Sequence, residues 1–243
     1  MEVNMIYEYI STTDYNGHEQ VNFKLNGRNS LVVRPKKALD GNPVIWRTEF
    51  FGCFDWVDKA LLEKGWHLAY HSASDMYGCP ESLEMLREFQ DFTNETFGLA
   101  KKAVLEGLSR GGLYAVNYAA KYPERVKGIY LDAPVLDIRS WPCCYEDSRE
   151  KKECLEWYHL TPETLKNFKG NPLDKSELIA DKPILIIAGA ADTVVPWKDN
   201  GAKLVEKLEA LHANYKLILK PDCDHHPHSI SEPAPAVEFI EKM

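Results

Sequence analysis

The sequence contains no apolar run approaching the roughly 20 residues that span a bilayer. Its start, Met1-Glu2-Val3-Asn4-Met5-Ile6-Tyr7, carries neither a basic leader nor an apolar stretch of signal-peptide length. These absences lead us to expect a cytoplasmic protein with no membrane partner. No Lys/Arg run or basic helix stands out either. With 29 basic against 37 acidic residues, the chain lacks the concentrated positive surface that nucleic acid requires, so no nucleic-acid partner is expected. The six cysteines (Cys53, Cys79, Cys143, Cys144, Cys154, Cys223) form no paired CxxC motifs of the zinc-binding kind. Without a secretion signal they read as reduced thiols, and we read the adjacent Cys143-Cys144 as packing rather than redox chemistry. No repeat or low-complexity tract interrupts the 243 residues, and a single domain over 1–243 is expected.

What is present is an alternation of short apolar runs and helix-spaced segments. Val21–Leu25 and Ser30–Val33 flank Asn26-Gly27, a strong two-residue hairpin signal. Further strands are expected at Pro43–Trp46, Trp66–Tyr70, Lys102–Glu106, Val126–Leu131, Pro183–Ala188 and Tyr215–Leu219. Helical spacing lies between them, at Trp56–Lys64, Ser82–Thr96, Gly111–Tyr122 and Lys198–Leu211, and again at Val237–Ile240. Strands separated by helices predict an α/β fold with a doubly wound, mostly parallel sheet, the hairpin adding antiparallel strands at one edge. Ile138 to Asp181 breaks the rhythm. It is rich in Trp, Tyr, Cys and charge, with helical pieces near Glu150–Tyr158 and Thr161–Phe168. We expect it to form a helical cap insertion over the carboxyl edge of the sheet.

The candidate chemistry begins at Gly107-Leu108-Ser109-Arg110-Gly111. Ala103-Val104-Leu105 leads in as a strand and Gly111–Val116 leads out as a helix, the setting in which a serine is held in a tight turn that only small neighbours permit. Ser109 would then project at a helix N-terminus, with the backbone N–H of Arg110 aimed where an oxyanion develops. A serine hydroxyl needs a base, and the base needs an orienting acid. Asp192 follows the most apolar strand and is the expected acid, with Asp132, after the strand ending Tyr130-Leu131, in competition. For the base, Pro221-Asp222-Cys223-Asp224-His225-His226-Pro227-His228-Ser229 offers three histidines after a strand end. Spacing does not say which one faces Ser109. His225, the first after the turn, is favoured and His226 is the alternative. His-His-x-His also suits a metal, but no further ligand cluster of matching spacing appears, so neither metal nor cofactor is expected.

With these residues in place, the sequence resembles the α/β-hydrolase superfamily over 43–243, in particular its prolyl-oligopeptidase-like and acyl-esterase branches. Gly189-Ala190-Ala191-Asp192-Thr193-Val194-Val195-Pro196 looks like that family's Gly-x-x-Asp-x-x-Val-Pro acid loop. Pro221-Asp222-Cys223-Asp224-His225 is similar to its Pro-Gly-x-Gly-His loop, with aspartates replacing both glycines. The usual His-Gly oxyanion segment is replaced by Trp46-Arg47-Thr48-Glu49-Phe50-Phe51-Gly52, so the second oxyanion donor is expected near Phe51–Cys53, at Phe51. Arg47 and Arg110 are expected either at the pocket mouth, where a guanidinium suits a carboxylate or polyhydroxylated substrate, or paired with an internal acid such as Glu49, Glu106 or Asp132. With Trp46, Tyr77 and Trp141 they would line a pocket that fits a sugar ester better than a long acyl chain. The resemblance implies a serine hydrolase that cleaves a small polar carboxylic ester through an acyl-enzyme. A peptidase of the prolyl-oligopeptidase-like type, or a hydrolase-fold binding protein with an idle triad, remain as alternatives.

Overall fold

Every residue of the strands Val44–Arg47 (β4), Ala103–Leu108 (β6) and Ile184–Gly189 (β8) is buried, as happens when helices cover both faces of a parallel sheet. The computed structural model describes residues 5–243. The other strands are β1 (Tyr7–Tyr15), β2 (His18–Leu25), β3 (Arg28–Arg34), β5 (His67–His71), β7 (Val126–Asp132) and β9 (Tyr215–Lys220). All nine form one sheet in the order β1-β2-β3-β5-β4-β6-β7-β8-β9. The first three and their junction with β5 are antiparallel. From β5 through β9 every pairing is parallel. This is the expected α/β class, mostly parallel with antiparallel strands at the N-terminal edge.

Alternate residues of the central strands feed two cores, because successive side chains point to opposite faces. Val44, Trp46, Leu105, Ile184 and Ile186 pack on one side with helices α2 (Pro80–Phe97), α3 (Gly111–Lys121) and α6 (Gly201–Ala210). Ile45, Val104, Leu185 and Ile187 pack on the other with α1 (Trp56–Glu63) and α7 (Ala234–Ile240). α2 shows why such segments become helices. Pro80 stands in its first turn, Leu83, Leu86, Phe89 and Phe92 recur at intervals of three to one face, and Gly98 ends it at φ +66°.

Three details depart from the sequence reading. β1 lengthens the predicted hairpin into three strands; Asn16-Gly17, at φ +51° and +83°, makes the same kind of turn as Asn26-Gly27. Nearly all of β1 is exposed, so no apolar alternation marked it. The helix expected over Thr161–Phe168 is a single turn, α5 (Pro162–Leu165), and α6 begins only at Gly201, after a short 3-10 turn at Trp197–Asp199. Residues 138–181 run between β7 and β8. They hold α4 (Arg149–Trp157), α5 and a 3-10 stretch at Pro172–Ile179 that buries Leu173, Ser176 and Ile179. Among the described residues no helix is long and apolar enough to cross a membrane.

Candidate active site

Ser109 follows the last residue of β6 and precedes α3, with φ at +53°. A left-handed conformation is costly for a residue with a Cβ, and it persists only where the surroundings hold it. Here the Ser109 N–H donates to the Asp132 carbonyl at 2.8 Å, and its carbonyl accepts from the N–H groups of Val135 (2.9 Å) and Gly112 (3.0 Å). The flanking glycines are required by close approach. A Cβ at Gly107 would lie 2.9 Å from the Gly111 carbonyl oxygen, and one at Gly112 would lie 2.6 Å from the Cβ of Pro134. Sterics therefore account for Gly107 and Gly112 beside this serine.

The ends of β8 and β9 bring the partners. His225 Nε2 lies 3.1 Å from Ser109 Oγ, and its Nδ1 lies 2.7 Å from Asp192 Oδ2. Asp192 is held in turn by the N–H groups of Val194 (2.9 Å) and Val195 (2.7 Å), which donate to its other oxygen. Asp192 and His225 are both buried. Gly189 lets the loops meet, since a Cβ there would sit 2.2 Å from the Cys223 carbonyl oxygen. Asp224, which stands where the resemblance led us to expect glycine, accepts from Thr193 N–H at 2.7 Å and from its own neighbour His225 N–H at 2.7 Å. These backbone donors, with the Thr193 hydroxyl, hold its carboxyl below the usual carboxylate range.

The competing residues separate cleanly. Asp132 is engaged elsewhere: its carboxylate faces His228 Nδ1 at 3.1 Å and accepts from Ser229 N–H at 2.6 Å and the Tyr130 hydroxyl at 3.1 Å. His226 is exposed, its ring stacked on Phe54 with centroids 5.6 Å apart.

Two residues expected at the pocket are in the interior instead. Trp46 is 2% exposed and packs between Phe89 and Tyr118, each at 5.2 Å between ring centroids. Arg47 is 1% exposed. Its guanidinium pairs with Asp58 and with Glu106 (3.2 Å), and donates to the carbonyls of Glu49 (3.1 Å) and Cys53. The cause is the position of β4: a central strand covered on both faces sends its side chains into the helical layers rather than to the carboxyl edge. Burial pushes the Glu106 carboxyl well above the carboxylate range, although Arg47 opposes this.

Arg110 does reach the surface of the site. Its Nε donates to Glu49 Oε2 at 2.8 Å, and its guanidinium lies 5.0 Å over the Phe50 ring. The other Glu49 oxygen accepts from Ser74 Oγ at 2.6 Å. Burial raises the Glu49 carboxyl above its ordinary value while the Arg110 charge pulls it back. Beside Arg110 lies a cleft of about 220 Å³ lined by Ser74, Asp75, Tyr77, Arg149, Glu150 and Glu153. Tyr77 is itself only 1% exposed; its hydroxyl donates to Glu153 Oε2 at 2.8 Å, and it packs at 6.1 Å from Trp141, which is half-buried and lines neither this cleft nor the larger one. A larger cleft of about 740 Å³ runs from Asp137, Arg139 and Tyr145 to Thr193, Val194 and Lys203. Neither cleft is lined by Ser109 itself, but both border the segments that carry the three aligned residues.

The loop after β4 approaches the serine turn through Glu49 rather than Phe51. A Cβ on Gly111 would meet the Glu49 Cβ at 3.2 Å and its backbone nitrogen at 3.6 Å. The Phe51 ring instead faces Tyr15 (5.2 Å) and Tyr70 (5.8 Å). Among the described residues, the backbone N–H groups of Arg110 and Glu49 have no hydrogen-bond partner. The pairing of Arg110 with Glu49, and of Arg47 with Glu106, is the alternative the sequence left open for the two arginines.

A parallel sheet with a strained serine turn after β6, and an acid and a histidine after β8 and β9, defines the α/β-hydrolase fold class. Within that class the chain belongs to the prolyl oligopeptidase family, whose profile matches residues 65–243. No curated protein sequence matches it significantly. Among solved structures it is similar to a putative dipeptidyl aminopeptidase IV from Bacteroides ovatus ATCC 8483 and to Porphyromonas gingivalis dipeptidyl peptidase 4. Each is 16% identical with a TM-score of 0.67, over 98% of this chain and 35% of theirs. It is also similar to Est1E from Butyrivibrio proteoclasticus, at 16% identity and a TM-score of 0.64, over 97% of this chain and 98% of that one. The chain thus spans about a third of the length of the two dipeptidyl peptidases, and at this identity the likenesses show the fold alone.

Proposed function

We propose that the protein is a serine hydrolase that cleaves a small, polar carboxylic ester, with Ser109 as nucleophile, His225 as base and Asp192 as the acid that orients it. The observation that carries this reading is the continuous line from Ser109 Oγ to His225 Nε2 (3.1 Å) and from His225 Nδ1 to Asp192 Oδ2 (2.7 Å). His225 takes the Ser109 proton as Oγ attacks the ester carbonyl. The same proton passes to the leaving alcohol, and water then releases the acid by the reverse steps. Asp192 keeps Nδ1 protonated, so that the lone pair of Nε2 faces the serine. The free N–H groups of Arg110 and Glu49 are suited to receive the oxyanion, each such donor typically contributing roughly 10²–10³ in rate.

The polar lining of both clefts supports a small hydrophilic substrate, for instance an ester of a carbohydrate, over a long acyl chain, which would need an apolar groove. Segment 138–181 we read as the cap that supplies part of this lining, through Arg139, Ser140 and Tyr145 on one side and Arg149, Glu150 and Glu153 on the other. A screen of p-nitrophenyl acetate and acetylated sugars beside aminoacyl and dipeptidyl p-nitroanilides tests the substrate class. Ester turnover without anilide turnover is the expected result. Faster cleavage of the anilides would favour the second reading, a peptidase, which the family match supports. Failure of Ser109 to react with a fluorophosphonate probe would leave a hydrolase-fold binding protein.

A further inference from the structure

His225, His226 and His228 each place a ring nitrogen within 4.8 Å of the other two. Their ring centroids are 4.5 to 5.1 Å apart, and the rings stand nearly perpendicular to one another. Two of the three are oriented by buried carboxylates. His225 Nδ1 faces Asp192 at 2.7 Å and His228 Nδ1 faces Asp132 at 3.1 Å. A carboxylate on Nδ1 keeps the proton there, and leaves Nε2 with a lone pair, the arrangement that metal-binding histidines share. His226 completes the group from the exposed side, backed by the Phe54 ring.

We propose that these three histidines form an inhibitory site for a zinc-class divalent cation. The proposal rests on the reading of His225 as the base. Imidazole nitrogens suit zinc better than magnesium or calcium, which prefer oxygen ligands. A tetrahedral site with bonds of about 2.0–2.1 Å needs nitrogens ~3.4 Å apart, so the group must contract from its 4.8 Å spread on binding, and the exposed His226 ring is the member free to move. The carboxylates of Asp192, Asp132 and Asp224, hydrogen-bonded to the residues of this loop, offset the added charge. His225 Nε2 gives its lone pair to the metal, its hydrogen bond with Ser109 is lost, and the serine keeps its proton; any proton carried by the three imidazoles leaves to solvent as the metal binds. Ser109 is then left without a base.

The test separates binding from activity. Co²⁺ is titrated into the Ser109→Ala protein and followed by its visible d–d absorption, and Zn²⁺ by calorimetry. One equivalent should bind, and His226→Gln should weaken binding by about tenfold or more. In the protein with Ser109 intact, Zn²⁺ should slow fluorophosphonate labelling of Ser109, and EDTA should restore it. Absence of stoichiometric binding, an unchanged affinity in His226→Gln, or labelling indifferent to bound Zn²⁺ would each overturn the proposal. A Ser109 that never labels, in a protein that binds Co²⁺, would overturn the hydrolase reading while the cation site stands.

Discussion

Asp224 clasps Thr193: its carboxylate accepts the Thr193 N–H at 2.7 Å and the Thr193 hydroxyl at 2.9 Å. The same oxygen accepts the N–H of His225. The loop after β8, which carries Asp192, is thereby tied to the loop after β9, which carries His225. The acid and the histidine are held in register by a residue that touches neither reacting atom. Asp224→Gly, the residue expected by family resemblance, should lower kcat about tenfold with little change in KM, since small misplacements of a base are costly. Steady-state kinetics on an ester reads this out. An unchanged kcat would show that the clasp is dispensable.

Ser109→Ala should reduce ester turnover by about 10⁴-fold or more, and Asp192→Asn by about 10⁴-fold, with circular dichroism unaltered in both. Hydrolysis at the wild-type rate in either variant would remove that residue from the proposed mechanism.

The strain at Ser109 gives a separate prediction. Its φ of +53° is tolerated more readily by glycine than by alanine or serine. Ser109→Gly should therefore be more stable than Ser109→Ala by about 1 kcal/mol. Chemical denaturation midpoints compare the two, and the opposite order would mean that the turn is relaxed.

Arg47 is flanked by Asp58 and Glu106 in the interior. Removing it strands two buried acids, so Arg47→Ala should destabilise the fold by about 3–5 kcal/mol. The KM of the remaining folded enzyme should not move. A raised KM at unchanged stability would return Arg47 to a substrate-binding role.

His71 sets an acid limit on stability. It is buried against Phe89 at 4.9 Å, with Nδ1 2.7 Å from Ser30 Oγ. Burial, aided by the charge of Arg28, lowers its pKa to about 3. The unfolded chain would bind this proton near pH 6.5, its ordinary value. Between about pH 6.5 and 3 the unfolded state therefore carries the extra proton, and stability falls as pH falls, by up to about 1.4 kcal/mol per pH unit from this group. The stability contribution is fully present above pH 6.5. Urea midpoints across this range should drop less steeply in His71→Gln; an identical slope would show that other groups dominate.

Most of the fold was legible because the central strands and the helices that cover them announce themselves by apolar periodicity. The glycine-flanked serine was legible for a similar reason: the sterics of a tight strand-to-helix turn restrict which residues surround it. β1 was not, since an exposed edge strand needs no apolar face. Glu49 was legible only as one of three acids an arginine could pair with; its burial against Arg110 and Ser74 joins segments 25 and 61 residues apart.

The sequence by itself determined the order of elements and the turn at Ser109, because backbone sterics and side-chain periodicity act over a few residues. It left three histidines and two acids as rivals. Only the tertiary structure paired His225 with Ser109 and Asp192, gave His228 to Asp132, and withdrew Trp46 and Arg47 into the interior. Those assignments depend on how far each loop reaches past its strand and which face of β4 each side chain takes. Both are set by the packing of the whole sheet, which no local pattern records.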